Sequence, residues 1–140
     1  MQANNFSTNY VLHKKLRELY CLVKDKIMKI GIDLDGTISE YPKFFSLFSR
    51  AISDAGCTVY VITDRPPGSE NYIAQELKHY GITYDSIKIT SDKAGFIEEE
   101  GIEVLFDDMD RYFRHLPPDV AVFKIRQKYN FDFNRMLWRD

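Results

Sequence analysis

Asp33 and Asp35 stand one residue apart at the end of an apolar run, Lys29-Ile30-Gly31-Ile32, and are followed by Gly36-Thr37. On an extended chain such residues project to the same side. Their charges repel, so the pair is unfavourable unless a cation or a proton compensates. Gly36 lets the chain leave the strand in a conformation that other residues resist, and Thr37 adds a hydroxyl and a backbone N–H. Three more polar groups follow comparable apolar runs or open helices: Thr63-Asp64-Arg65, Lys93 and Asp107-Asp108. A hydroxyl, an ammonium and several carboxylates together suit a hard divalent cation with oxygen ligands. Mg²⁺ fits, since it commonly takes one or two carboxylates plus waters and a substrate phosphate.

The elements that must position these groups alternate in type. Met28–Leu34, Thr58–Thr63, Ser86–Thr90, Glu103–Asp107 and Val120–Ile125 read as strands. Val59-Tyr60-Val61-Ile62 is β-branched and aromatic with little polar alternation, as buried parallel strands are. Lys43–Ala55, Ser69–Tyr80 and Ser91–Glu100 read as helices that close at Gly56, Gly81 and Gly101. Asp108–His115 is a short fourth candidate, stopped by Pro117-Pro118. Strands alternating with helices predict βαβ units. The expected fold is α/β, a Rossmann-like three-layer sandwich around a central parallel sheet of about five strands. Ligands bind such sheets at the carboxyl ends of the strands, where Asp33, Asp35, Thr63 and Asp107-Asp108 fall.

Composition excludes several other classes. The chain has 140 residues, 44% apolar and 29% charged, as one ordinary globular domain does. Its net charge of −2 comes from 19 basic and 21 acidic residues with no run of like charge. The sequence therefore indicates neither nucleic acid nor an anionic membrane as partner, although a local basic patch can still form in three dimensions. Cys21 and Cys57 have no zinc or redox spacing and read as buried reduced thiols. No signal peptide or membrane span is evident, so the expected location is cytoplasmic. His13, His79 and His115 are scattered and carry no suggestive spacing.

The order Asp-x-Asp-Gly-Thr, apolar strand plus Thr, Lys, then apolar strand plus Asp-Asp resembles the four motifs of the haloacid dehalogenase-like (HAD) superfamily, over Met28 to about Asp110. The resemblance implies a phosphohydrolase in which Asp33 attacks phosphorus and forms an aspartyl-phosphate. Asp35 would protonate the leaving oxygen, then deprotonate the hydrolytic water, and its backbone carbonyl would bind the metal. Thr63 would hydrogen-bond a phosphoryl oxygen. Lys93 would pair with Asp33 and the phosphate. Asp33 and Asp108 would ligate Mg²⁺ directly, with Asp107, Gly36 and Thr37 in support, and Arg65 would contact substrate phosphate or orient its loop. Lys88 is the alternative lysine, but it lies inside the third strand, whereas Lys93 begins a helix as the family's lysine does. Asp64 departs from the small residue often found after the family's Thr.

The family's cap domains enter after the first motif or between the second and third. Neither Thr37–Thr63 nor Thr63–Lys93 has room for one, so the chain resembles capless members. An open site can accept a phosphate carried on a large molecule, or a partner subunit can cover it. Tyr41, Phe44 and Phe45 follow the first motif and could stack on a base or sugar, with core packing the better reading for the phenylalanines. Residues 1–27 form an N-terminal extension, with Leu12, Leu16, Leu19, Tyr20, Val23 and Ile27 at helical spacing across Tyr10–Ile27; residues 28–140 form the HAD-like hydrolase domain. That helix is expected to cover an apolar surface of the domain or to pair two copies into a homo-oligomer. The aromatic tail Gln127–Asp140 is expected to pack. The function these readings imply is Mg²⁺-dependent hydrolysis of a phosphomonoester. The alternatives are a nucleotidase or polynucleotide-end phosphatase, and a weakly active metal-binding or regulatory interaction module.

Overall fold

Central strands buried on both faces build the molecule outward from a five-stranded parallel sheet. The computed structural model describes residues 11–16, 18, 19 and 27–139. The sheet consists of β1 (Lys29–Asp33), β2 (Thr58–Thr63), β3 (Ser86–Ile89), β4 (Val104–Asp107) and β5 (Ala121–Lys124), in the order β3-β2-β1-β4-β5. Three helices cover it: α1 (Pro42–Asp54), α2 (Glu70–Tyr80) and α3 (Lys93–Glu100). The expected three-layer α/β sandwich with five parallel strands is the observed fold. Among the described residues no helix is long and apolar enough to cross a membrane.

Side-chain parity sorts the two faces. Ile30 and Ile32 of β1, Val59 and Val61 of β2 and Phe106 of β4 pack with Phe45 of α1 and with Ile73 and Leu77 of α2. Ile62 and Leu105 point the other way, onto Ile97 of α3 and Ile102. Burying each such side chain contributes roughly 1.5–3 kcal/mol. Gly31 lies on the α3 face of β1. A Cβ there would stand 2.8 Å from Ile62 Cδ1, so the central strand stays bare at that point and its neighbours close over it.

The strand expectations hold to within a residue at each end, and three other features differ. The fourth helix candidate, Asp108–His115, forms only a 3₁₀ turn at Asp110–Tyr112. The Asp107 carboxylate accepts a hydrogen bond from the Met109 N–H at 2.9 Å, Met109 is extended, and Pro117-Pro118 blocks further growth. The aromatic tail, expected to pack, forms a hairpin of β6 (Phe131–Asp132) and β7 (Leu137–Trp138) in which Phe131 is buried beneath Trp138 while Tyr129, Phe133, Met136 and Leu137 stay exposed. Cys57 is only partly buried; Cys21 lies outside the described residues. Residues 11–16, 18 and 19 are helical, with Leu12, Leu16 and Leu19 exposed; the remainder of the expected Tyr10–Ile27 helix, up to residue 26, lies outside the described residues.

Candidate metal and phosphate site

The carboxyl ends of β1 and β4 are neighbours because these strands pair in parallel, with Ile32 opposite Phe106. Parity then turns Asp33 and Asp107 toward the α3 face, alongside Gly31 and Leu105. Helix α3 starts at that edge: Asp92 caps it by accepting from the Gly95 N–H at 3.0 Å, and the next residue is Lys93. The Lys93 ammonium donates to Asp33 Oδ1 and to Asp107 Oδ2, each at 2.6 Å, and all three side chains are almost wholly buried. Lys88, by contrast, lies on β3 with its ammonium 4.9 Å from the centre of the Phe96 ring. The structure thus brings Lys93, and not Lys88, to the carboxylates.

Among the described residues, Asp33, Asp107 and Asp108 form a cluster whose oxygen atoms lie within 4.8 Å of one another. Three carboxylates against one ammonium leave an excess of negative charge in a buried place. Burial pushes the Asp33 carboxyl up to about 7, against the pull of Lys93 and with Asp107 adding to the rise. Burial likewise raises Asp107. Burial alone would lower Lys93, but Asp33 and Asp107 hold it above its ordinary value. Two buried polar atoms, Asp33 Oδ2 and Thr37 Oγ1, have no hydrogen-bond partner. An excess of carboxylate oxygens beside unsatisfied buried acceptors suits a hard divalent cation, so the residues fit Mg²⁺.

The turn after β1 shapes the mouth of this site. The strand ends at Asp33, and Leu34–Ile38 forms a tight turn closed by the Ser39 N–H on the Leu34 carbonyl at 2.9 Å. Gly36 has φ +82°, and a Cβ there would collide with the Asp108 carboxylate. The sequence reading had Asp33 and Asp35 projecting together from one extended chain. Because the strand stops at Asp33, the Asp35 carboxylate stands outside the cluster, and Asp107 takes part in its place. Asp35 is instead held by Arg65, which donates through Nε at 2.8 Å and Nη2 at 2.6 Å and also reaches Glu76 at 2.6 Å. Thr63 ends β2, fully buried, and its hydroxyl oxygen accepts from the Arg65 N–H at 3.4 Å. Of the three aromatics after the turn, Phe45 is core, Phe44 is exposed, and the Tyr41 hydroxyl donates to the Arg126 carbonyl at 2.6 Å.

Three residues that sequence reasoning missed support the site. Buried Gln127 donates to Asp108 Oδ2 at 2.9 Å. Asn130 donates to the carbonyls of Asp108, at 2.8 Å, and Ile125, at 2.7 Å, and accepts from the Gln127 N–H. The Tyr112 ring lies under the Lys93 ammonium, 4.1 Å from centre to nitrogen, and its hydroxyl donates to Asp64. Gln127 follows the predicted fifth strand at the same carboxyl edge as the other site residues, and that position was the available signal.

No protein-family model and no curated protein matches the chain. Among solved structures, a chain of a Pnkp1/Rnl/Hen1 complex superposes with a TM-score of 0.55 at 20% identity, covering 72% of this chain and 46% of that one. This chain thus spans less than half of that neighbour's length. A universal stress protein in complex with cAMP superposes with a TM-score of 0.48 at 12% identity, over 71% of this chain and 98% of that one. At such identities the first likeness speaks for the fold alone, a parallel α/β sandwich.

Proposed function

We propose that this chain is a Mg²⁺-dependent phosphomonoester hydrolase of HAD type that works through an aspartyl-phosphate on Asp33. The observation that carries the reading is the Lys93 bridge. It holds one oxygen of Asp33 and leaves the other, Oδ2, buried and without a partner. A carboxylate kept from water, aligned by a fixed cation and short of hydrogen bonds is a competent nucleophile. Asp33, Asp108 and the Asp35 carbonyl would hold the cation, with Asp107 in support. When bound, Mg²⁺ would offset the charge of the carboxylates and of the phosphate.

The remaining chemistry falls to the chain's own side chains. An oxygen of Asp33 forms a bond to phosphorus as the bond from phosphorus to the ester oxygen breaks. Asp35 gives the departing oxygen its proton. Water then attacks phosphorus, Asp35 takes back a proton, and the bond to Asp33 breaks to release phosphate. Thr63 and Lys93 donate to phosphoryl oxygens as charge builds on them. Asp35 reaches this task only by leaving Arg65, and an incoming phosphate dianion competes for that guanidinium. Arg65 thus exchanges Asp35 for substrate.

The test is phosphate release from a panel of phosphomonoesters, with Mg²⁺ and with chelator, comparing the native chain with Asp33→Asn. Metal-dependent release that vanishes in the variant is expected. Release that persists in Asp33→Asn overturns the nucleophile. No release from any ester moves the weight to a metal-binding interaction module.

A further inference from the structure

We infer that the group carrying the scissile phosphate is a single-stranded nucleic acid, held by the basic and aromatic segment that follows β4. The inference rests on the hydrolase reading for its chemistry, but not for the binding itself. A cleft of about 710 Å³ starts at Asp35, Gly36 and Asp108 and runs past Arg114, Lys124 and Tyr129. Pockets of roughly 300–1,000 Å³ take whole organic ligands, so the cleft has space for far more than a phosphate.

Charge and aromatic content identify the occupant. Between Arg111 and Arg139 there are seven basic residues and two acidic ones, a net +5 in a chain of net −2. The excess is invisible as a run because aromatic and aliphatic residues interrupt it; four of the seven, Arg111, Arg114, Lys124 and Arg139, line the cleft beside four carboxylates. Arg114, in the cleft wall, forms no ion pair among the described residues. Tyr129 is 74% exposed, two residues from the Gln127 that holds Asp108. Phe133 and Trp138 extend the exposed aromatic surface onto the β6–β7 hairpin. Cations sit over these rings: Lys128 over Tyr129, Arg126 over Phe133 and Lys124 over Trp138. Rings for stacking interleaved with cations for phosphates bind unpaired nucleotides with little regard to sequence. Phe133 and Trp138 lie outside the residues that line the cleft.

The experiment is fluorescence anisotropy of a labelled oligothymidylate of about ten nucleotides, phosphorylated at its free end, on the full chain with Mg²⁺. Hydrolysis of the same oligonucleotide and of a small aryl phosphate is measured alongside. Affinity should fall with salt at a logarithmic slope of about −2, for three phosphate contacts. Tyr129→Ala and Arg114→Ala should each weaken binding about tenfold and lower the preference for oligonucleotide over aryl phosphate. Lys78→Ala, on the outer face of α2, should change neither. Should Arg114→Ala fail to fold, Arg114→Gln serves. Aryl phosphate hydrolysed without oligonucleotide binding overturns the inference and leaves the hydrolase standing. Oligonucleotide bound as expected, but no ester cleaved, does the reverse. A mononucleotide or phosphopeptide bound as tightly as the oligonucleotide also overturns the inference.

Discussion

The carboxyl end of β1 and the segment after β5 lie side by side and are built on opposite principles. At β1, a lysine and three aspartates are packed into the protein with almost no access to water. After β5, arginines, lysines and aromatic rings spread over an exposed loop and a hairpin of two-residue strands. Charges in the first region act at full strength because water is excluded, and each is costly unless paired. Charges in the second are screened and cheap, and act by number. The chemistry we propose needs the first kind of place, and recognition of a long polyanion needs the second. Gln127 joins them, since it belongs to the exposed segment and fixes a buried carboxylate.

Substitutions can break this contrast, and the largest effects belong to the buried region. Asp33→Asn should reduce turnover at least about 10⁴-fold with the fold intact, as loss of a nucleophile does; circular dichroism and phosphate release check both halves. Lys93→Met should cost about 10³-fold in rate and about 3–5 kcal/mol in stability by denaturant unfolding, because it strands buried carboxylates without their cation. At the junction of the regions, Gln127→Ala should weaken Mg²⁺ binding about 10- to 100-fold, read from the metal dependence of turnover. Lys88→Ala should change stability by no more than about 0.5 kcal/mol and leave turnover alone; a loss comparable to that of Lys93→Met would reverse the assignment of the two lysines.

A pH titration sharpens the same comparison. In chelator, the folded Asp33 carboxyl sits near 7, above its ordinary value, chiefly through burial. Between pH 4 and 7 the folded chain therefore holds a proton that the unfolded chain has released. Stability must fall as pH rises through that window. Asp33→Asn should flatten the decline, leaving the variant more heat-stable than the native chain at pH 8.

What could be read in advance follows the same division. β1, β2 and β4 are buried on both faces, so their sequences are runs of Ile, Val, Leu and Phe, and the acidic and hydroxyl residues that end them stand out. Lys93 was legible because a cap residue and a helix start precede it. The β6–β7 hairpin was not, since a two-residue strand is too short for any periodicity to register. The failed fourth helix turned on one side chain, the Asp107 carboxylate, capturing the Met109 N–H. Asp35 was misplaced for a related reason. The sequence pattern does not state on which residue a strand ends, and one residue decides whether two carboxylates point together or apart.

The Lys93 bridge spans 60 residues to Asp33. Contacts so distant in sequence are slow to close, since a long stretch of chain must be ordered before they form. The carboxylate cluster therefore comes together only when β1, α3 and β4 have docked. A cation that binds this cluster holds the docked elements shut and draws the equilibrium toward the folded state in proportion to its concentration. If the proposed hydrolase reading holds, magnesium would serve the folding of the chain as well as its chemistry, and refolding in chelator should be slower than refolding with Mg²⁺.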